Sequence, residues 1–239
     1  VYSFMDSAII GKSGSFTVKN YVYLFHSEDL RSMIFGTLIL AVVVAVISTI
    51  LGTLGAIGAF YSSKKLKRPI HLMNQIPVVN ADVVTGFSIC VLLIVFFKMD
   101  KASYIPLVIG LVSLCSPFVY LSVIPRLKQM DPQLYEAALD LGCSPFGALR
   151  KVVLPQLTSG IVSGFMMSIT LTLDDYFITT YTKPSMFDTI STYVVNATKG
   201  AQTDVKTALW ALSTIIFLIV IFVVIGMNHT GRKENDHEI

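Results

Sequence analysis

Residues 136–142 read Glu-Ala-Ala-Leu-Asp-Leu-Gly, and Leu154-Pro155 follows a short distance downstream. This polar, helix-forming stretch interrupts a chain of 239 residues that is otherwise strongly apolar, with 54% hydrophobic and only 14% charged residues. Soluble domains carry about 25% charged residues. The apolar runs on either side are long enough to cross a bilayer and alternate with short charged clusters. The sequence therefore predicts an all-α, polytopic membrane protein in which this stretch lies outside the bilayer.

Two short helices are predicted around the stretch. Asp131-Pro132 supplies a carboxylate for the N-cap and a proline for the first helical position. Gly142 suits the left-handed residue that ends a helix. Ser144-Pro145 repeats the start signal and opens a second helix over residues 146–152. We expect the two helices to meet at an angle.

The first of these helices carries a small apolar face. Leu134, Ala138 and Leu141 follow at intervals of four and three, and Ala137 widens the stripe. Glu136 and Asp140 bound it. Two helical turns cannot bury such a face alone, so the pattern predicts contact with a partner or with the bilayer surface.

Five transmembrane spans are predicted from the apolar runs. They cover residues 34–61, 69–97, 104–124, 156–181 and 208–227. The second span is expected to be broken between Pro77 and Asp82, with a continuous second half over residues 83–97. In the first span, small residues recur at helical spacing and predict a packing face. These residues are Ser48, Gly52, Gly55 and Ala59.

The distribution of lysine and arginine predicts the orientation of the chain. The loops after the first and third spans and the C-terminal tail hold most of the basic residues. We therefore expect an exposed extracytoplasmic segment at 1–31, a transmembrane domain at 32–227, a cytoplasmic loop at 126–155 and a cytoplasmic tail at 228–239. Because five spans with the N-terminus outside is an unusual arrangement, a sixth span upstream is expected, with residues 1–4 as its frayed end.

No cofactor, metal or nucleic-acid site is predicted. The three cysteines, Cys90, Cys115 and Cys143, have neither metal-ligand nor disulfide spacing and are expected to pack as small residues. Residues 11–13 resemble the end of a phosphate-binding loop, but that motif requires glycine where Asp6 stands. No catalytic residue is predicted in the chain.

The spacing of the central stretch resembles the signature of ABC importer permeases. In that signature Glu-Ala-Ala is followed after three residues by Gly and then, nine residues later, by Ile or Val, any residue and Leu-Pro. The matching positions here begin at Glu136, Gly142 and Val152. The resemblance implies a type I importer permease fold in the bacterial inner membrane. It also implies a coupling helix that docks into a cleft of an ATPase dimer. The implied coupling residues are Glu136, Ala137, Ala138, Asp140, Gly142, Leu154 and Pro155.

The same resemblance implies further partners, namely a second homologous permease subunit and an extracytoplasmic substrate-binding protein. ATP hydrolysis would belong to the ATPase subunits. Family members have a transmembrane helix ahead of the exposed N-terminal segment, in agreement with the upstream span expected above.

Acidic residues at membrane depth are the candidate substrate path. Counted along straight helices, Asp174 and Asp175 lie ~28–30 Å from the start of their span and Asp82 ~20 Å from the start of its own. Ionisable groups at such depth are costly and usually face a cavity or a substrate path. Asp175 could instead lie at the outer interface, and Asp82 could cap a half-helix.

Leu173-Asp174-Asp175-Tyr176, together with Pro77 and Asp82, resembles the second permease subunit of spermidine/putrescine importers. This resemblance implies a polyamine substrate. Carboxylates at different depths would suit a chain of separated cations, and Tyr176 could add a cation–π contact. Permeases of the same group carry other small solutes, so such a solute is the alternative substrate.

Two other classes of protein remain as alternatives. An intramembrane aspartyl protease would need two carboxylates ~3 Å apart, whereas the depths counted above differ by ~8 Å, and Val79-Asn80-Ala81 stands where those enzymes have Gly-x-Gly. An ion-driven secondary transporter would have no use for the coupling signature.

Overall fold

The computed structural model describes residues 28–79, 82–100, 102–131 and 133–199, with isolated positions before and after them. These ranges are helical apart from short connections. The α-helices are α1 (Glu28–Tyr61), α2 (Lys64–Val79), α3 (Asp82–Cys90), α4 (Ile105–Gln129), α5 (Gln133–Asp140), α6 (Pro145–Ala148), α7 (Leu154–Gln156), α8 (Thr158–Asp174), α9 (Phe177–Thr182) and α10 (Ile190–Lys199). π-Helical segments, Val91–Phe96 and Leu149–Val153, follow α3 and α6.

Among the described residues, two helices are long and apolar enough to cross a membrane. They are Leu30–Tyr61 within α1 and Ile105–Gln129, which is α4. A third span is present if Pro145–Gln156 and α8, which meet at a bend of 70°, are counted together. The predicted first and third spans are therefore confirmed as apolar helices. Both are longer than expected, and α1 begins inside the segment 1–31 that was predicted to precede the membrane domain.

Several predicted segments lie wholly or mostly outside the described residues. These are most of the N-terminal segment 1–31, the last span at 208–227 and the tail at 228–239. The total of five spans stays a prediction.

The break predicted in the second span falls at Asn80 and Ala81, which lie outside the described residues. α2 ends at Val79 and α3 begins at Asp82, after which a shorter apolar helix runs over Val83–Phe96. Pro77 lies inside α2, near its end, rather than at the break itself. The basic residues from Lys64 onward form the first turns of α2 instead of the loop that was expected, because the chain needs only two residues to turn after Tyr61.

The fourth span differs from its prediction. It was expected to be continuous over residues 156–181, but α8 ends at Asp174 and α9 begins only at Phe177. The following region, predicted as a loop, contains α10. The break at Asp175 and Tyr176 is not marked by proline or glycine. α10 does carry the usual signals, because Thr189 precedes its first residue and Gly200 follows its last in the sequence.

The helices group into two compact units. The first comprises the described parts of Val1–Val43, Asp82–Leu111 and Thr170–Val224. Here α3 packs closely on α9, since a Cβ at Gly86 would lie 3.1 Å from the backbone nitrogen of Ile178. The Oγ1 of Thr37 in α1 accepts a 3.2 Å hydrogen bond from the backbone nitrogen of Ile190, which joins α1 to the start of α10.

The second unit comprises the described parts of Val44–Ala81 and Val112–Ile169. A Cβ at Gly52 of α1 would lie 2.6 Å from Val119 Cβ of α4, and one at Gly164 of α8 would lie 3.0 Å from the same valine. The predicted small-residue face is confirmed for Ser48, Gly52 and Ala59, which are buried. Gly55 is wrong in that list: it is exposed, and Ala56 takes its place in the core.

Candidate functional site

The first helix of the central stretch begins as predicted. The Oδ1 of Asp131 accepts a 2.9 Å hydrogen bond from the backbone nitrogen of Gln133, the first residue of α5. This is the N-cap contact that satisfies one of the free amides at a helix start. Pro132 lies outside the described residues.

α5 ends at a left-handed glycine. Gly142 has φ +85°, a region that side chains with a Cβ disfavour. Its nitrogen donates to the carbonyl oxygen of Leu139 at 2.9 Å, and the nitrogen of Cys143 donates to Ala138 at 3.0 Å. This pair of hydrogen bonds is the Schellman motif. The predicted C-terminal role of Gly142 is therefore confirmed.

The second helix also begins at its predicted cap. The Oγ of Ser144 accepts from the backbone nitrogen of Gly147 at 3.2 Å, and Pro145 occupies the first turn of α6. The helix continues beyond residue 152 through the π-helical segment into α7, which contains Leu154 and Pro155. Leu154 is half-buried and Pro155 is exposed.

α5 has two apolar faces rather than the single stripe predicted. Ala138 is buried, and the ring centroid of Tyr135 lies 5.0 Å from that of Tyr61, so these two residues attach α5 to the core of the second unit. Leu134 and Leu141, which the heptad-like spacing grouped with Ala138, are exposed instead. Leu141 lies one residue beyond the end of α5 at Asp140, in the turn closed at Gly142, so the helical spacing does not hold for it.

The exposed face is strongly apolar. Leu141 is 87% exposed and Phe146 is 74% exposed, on either side of the glycine turn. Ala137, Glu136 and Asp140 are exposed beside them. Sequence reasoning missed Phe146, although its place directly after the Ser144-Pro145 cap could have indicated an outward position. Such exposed apolar groups on a well-ordered turn are typical of a protein–protein contact.

The second group of candidate residues, Asp174, Asp175 and Tyr176, lies at the break between α8 and α9. Asp175 is buried, and its Oδ2 accepts two hydrogen bonds of 2.8 Å, from the backbone nitrogen and the Oγ1 of Thr179. In a continuous helix that nitrogen would donate to the backbone carbonyl of the residue four positions earlier, which is Asp175. The carboxylate therefore stabilises the interruption. Thr179 was not predicted, although its spacing of four from Asp175 is a usable signal.

Asp174 differs from its neighbour. Its side chain is exposed, and its carbonyl oxygen accepts a 3.2 Å hydrogen bond from the Oγ of Ser191 in α10. Tyr176 is half-buried, with its ring centroid 5.3 Å from that of Phe177 in an edge-on arrangement. An exposed carboxylate and an aromatic ring are both groups that attract a cation.

The packing of α3 on α9 shows where Asp82, the third predicted acidic residue, lies along this helix pair. Gly86 approaches Ile178, and further along both helices the Sγ of Cys90 donates to the carbonyl oxygen of Tyr181 at 3.3 Å. Residue numbers rise together along this contact, so the two helices run parallel. The first residue of α3, Asp82, therefore lies at the same end of the pair as the residues preceding α9. The ~8 Å difference in depth counted along straight helices stays a prediction. The side chain of Asp82 lies outside the described residues.

Comparison with known proteins identifies the family. Residues 51–230 match the family described as "Binding-protein-dependent transport system inner membrane component". The spermidine/putrescine transport system permease protein PotC of Escherichia coli is 28% identical over 221 residues, which are 92% of this chain and 81% of that protein. The putrescine transport system permease protein PotI of Escherichia coli is also 28% identical, over 90% of this chain and 78% of its own length.

Solved structures share the fold. A bacterial ABC transporter involved in the import of the polysaccharide alginate matches with a TM-score of 0.69 and 18% identity, over 92% of this chain and 84% of its own. The MetNI methionine ABC transporter matches with a TM-score of 0.66 and 14% identity, over 87% of this chain and 98% of its own. The motif at 136–155 and these matches indicate the same family of permeases. The chain belongs to the family of binding-protein-dependent transport system inner membrane components and has the fold of an ABC importer permease.

Proposed function

We propose that this permease imports polyamines of the spermidine and putrescine class, driven by a separate ATPase dimer that binds the exposed face of α5 and α6. A second permease subunit and an extracytoplasmic binding protein would complete the transporter. In this arrangement the loop 126–155 and the tail 228–239 face the cytoplasm, the segment 1–31 faces outward, and residues 32–227 form the membrane domain.

The exposed pair Leu141 and Phe146 is the observation that carries the coupling proposal. Both side chains flank a turn that is fixed by the Schellman bonds at Gly142 and the cap at Ser144. Burying one such side chain against a partner contributes about 1.5–3 kcal/mol. A surface that is apolar on its outer side and attached to the membrane core through Tyr135 and Ala138 can transmit movement of a partner to the helices.

The acidic residues support the polyamine assignment. The relatives named for spermidine and putrescine align over most of the chain. A polyamine carries several separated positive charges, and Asp174 offers an exposed carboxylate two positions before the half-buried Tyr176 in the sequence. Asp82 begins α3 at the same end of the paired helices at which Asp175 precedes α9.

Transport would proceed by alternating access. Closure of the ATPase dimer on ATP would move the coupling surface, which is the exposed face around Leu141 and Phe146. The second and fourth spans would then rearrange around Asp82, Asp174 and Asp175. Interrupted helices at membrane depth are a common way to build a substrate site. ATP hydrolysis would take place in the partner subunits, and this chain would catalyse no reaction.

A pair of variants at Leu141 tests the coupling surface. In proteoliposomes containing the complete transporter, Leu141→Gln should lower ATP-dependent uptake by at least about tenfold, because the apolar contact is lost. Co-purification of the ATPase subunit should fall in parallel. Leu141→Met, which keeps an apolar side chain, should retain both. Equal uptake by Leu141→Gln and the wild type would contradict the proposed docking surface.

A further inference from the structure

A cavity of ≈ 490 Å³ lies within the second unit, between α1, α2 and α4. Basic side chains form part of its lining: Lys67, Arg68 and His71 from α2, and Lys128 from α4. The remaining lining is apolar or aromatic and includes Phe60, Tyr120 and Ile124. Among the described residues that line it, none is acidic.

The cavity lies at the ends of membrane helices. The long apolar span of α1 ends at Tyr61, next to the lining residue Phe60, and α4 ends at Gln129, next to Lys128. The ends of membrane-spanning helices lie at the level of the lipid headgroups. Long basic side chains at such positions extend their charged ends towards the interface.

The positive charges in the cavity have no acidic partner within the protein as described. Lys67, Arg68 and Lys128 are exposed, and the ion pair found among the described residues, Lys183 with Asp188, is elsewhere. Lys67 Nζ lies 5.1 Å from the centroid of the Phe60 ring, which holds this lysine over the apolar wall. Three cations around one cavity repel one another, so an anion would relieve that repulsion.

The combination of charge and apolar surface favours an amphiphile over a simple anion. A free phosphate would engage the basic residues but leave the walls formed by Phe60 and Ile124 uncovered. On α2 the side chains of Leu72, Met73 and Ile76 are exposed as well, continuing the apolar surface along the helix. A headgroup phosphate with attached acyl chains satisfies both features, and basic pockets between membrane helices bind such lipids.

We propose that this cavity binds the headgroup of an anionic phospholipid. The phosphate would lie among Lys67, Arg68 and Lys128, with His71 as a further hydrogen-bonding group, and an acyl chain would run along Phe60 and Ile124. This site is separate from the acidic residues at the helix breaks. It requires no particular transported solute.

Native mass spectrometry of the assembled transporter, titrated with phosphatidylglycerol or phosphatidylcholine, tests the proposal. The wild type should retain phosphatidylglycerol and not phosphatidylcholine. Lys67→Gln should weaken retention about fivefold, and Lys67→Gln with Lys128→Gln roughly twenty-five-fold. Lys65→Gln provides the matched control, since Lys65 is exposed on the same helix but does not line the cavity.

Three outcomes would overturn the proposal. The wild type could bind phosphatidylglycerol and phosphatidylcholine equally, a result that can be interpreted without any variant. The double variant could retain phosphatidylglycerol as the wild type does. Inorganic phosphate or the deacylated headgroup could displace the lipid at the same concentration as phosphatidylglycerol itself, which would assign the cavity to a soluble anion.

Discussion

At the scale of single residues, the proposed coupling surface around Leu141 and Phe146 depends on the backbone conformation of one residue. Gly142 has a positive φ, and both Schellman hydrogen bonds form around it. A Cβ at this position would have no other atom within 4 Å. Any penalty for a larger residue is therefore conformational rather than steric.

This separation allows a prediction for position 142. Gly142→Ala should cost about 1–2 kcal/mol in the local turn and lower ATP-dependent uptake several-fold, because Leu141 and Phe146 lose their fixed arrangement. Gly142→Asn should be milder, since asparagine tolerates the left-handed region better. Uptake in proteoliposomes is the measurement. Identical loss in both variants would contradict a conformational role.

A second prediction at residue scale concerns Thr179. Thr179→Val keeps the shape of the side chain but removes the Oγ1 donor to Asp175, which should cost about 1–3 kcal/mol. We expect a higher spermidine concentration for half-maximal stimulation of ATPase activity in the complete transporter.

Thr179→Ser is the control for that change, because it retains the hydroxyl group and should behave close to wild type. If valine and serine at position 179 have the same effect, the hydrogen bond to Asp175 has no part in the substrate response.

At the scale of elements, close approach between helices is set by glycine. On α1, a Cβ at Gly52 would lie 2.6 Å from Val119 Cβ and 2.8 Å from the carbonyl oxygen of Ser116. A Cβ at Gly55, less than one turn away, would meet nothing within 4 Å. Two glycines on one helix therefore have opposite environments.

We predict that Gly52→Ala destabilises the membrane domain by about 1–3 kcal/mol, because α1 and α4 must move apart. Gly55→Ala should be neutral within about 0.5 kcal/mol. Thermal unfolding of the detergent-solubilised transporter should separate the two variants. A lower unfolding temperature for Gly55→Ala than for Gly52→Ala would contradict the packing described here.

Local signals in the sequence predicted the elements that depend on local contacts. The caps at Asp131 and Ser144 and the glycine turn at 142 follow from neighbouring residues, and all three are present. The interruption at Asp175 and Tyr176 was not predictable in this way, because no proline or glycine marks it. Its hydrogen bonds to Thr179 arise from side-chain geometry within the folded helix pair.

At the scale of the whole molecule, tertiary packing places residues that are distant in the sequence at the same end of a helix pair. Asp82 and Asp174 stand at opposite ends of the run from α3 to α8, yet the parallel contact of α3 and α9 aligns the starts of these two helices. Counting residues along straight spans could not predict this alignment. The family assignment, by contrast, was available from the intervals of the motif alone, since they are independent of the depth of any helix.

The proposed coupling surface and the acidic residues have different proposed functions. In the proposed function, Leu141 and Phe146 would couple the transporter to its ATPase, whereas Asp174, Asp175 and Tyr176 would recognise the solute. A variant in one group should leave the other property intact. Asp174→Asn should thus weaken the spermidine response while the ATPase subunit still co-purifies with the transporter.

Uptake of radiolabelled spermidine by proteoliposomes containing the complete transporter and its binding protein tests the central claim most directly. The account predicts saturable uptake that requires ATP, is competed by putrescine, and is not competed by an uncharged diol of similar length. Asp174→Asn should raise the spermidine concentration needed for half-maximal uptake. ATP-dependent uptake of an uncharged or anionic solute, with no uptake of spermidine, would contradict the account.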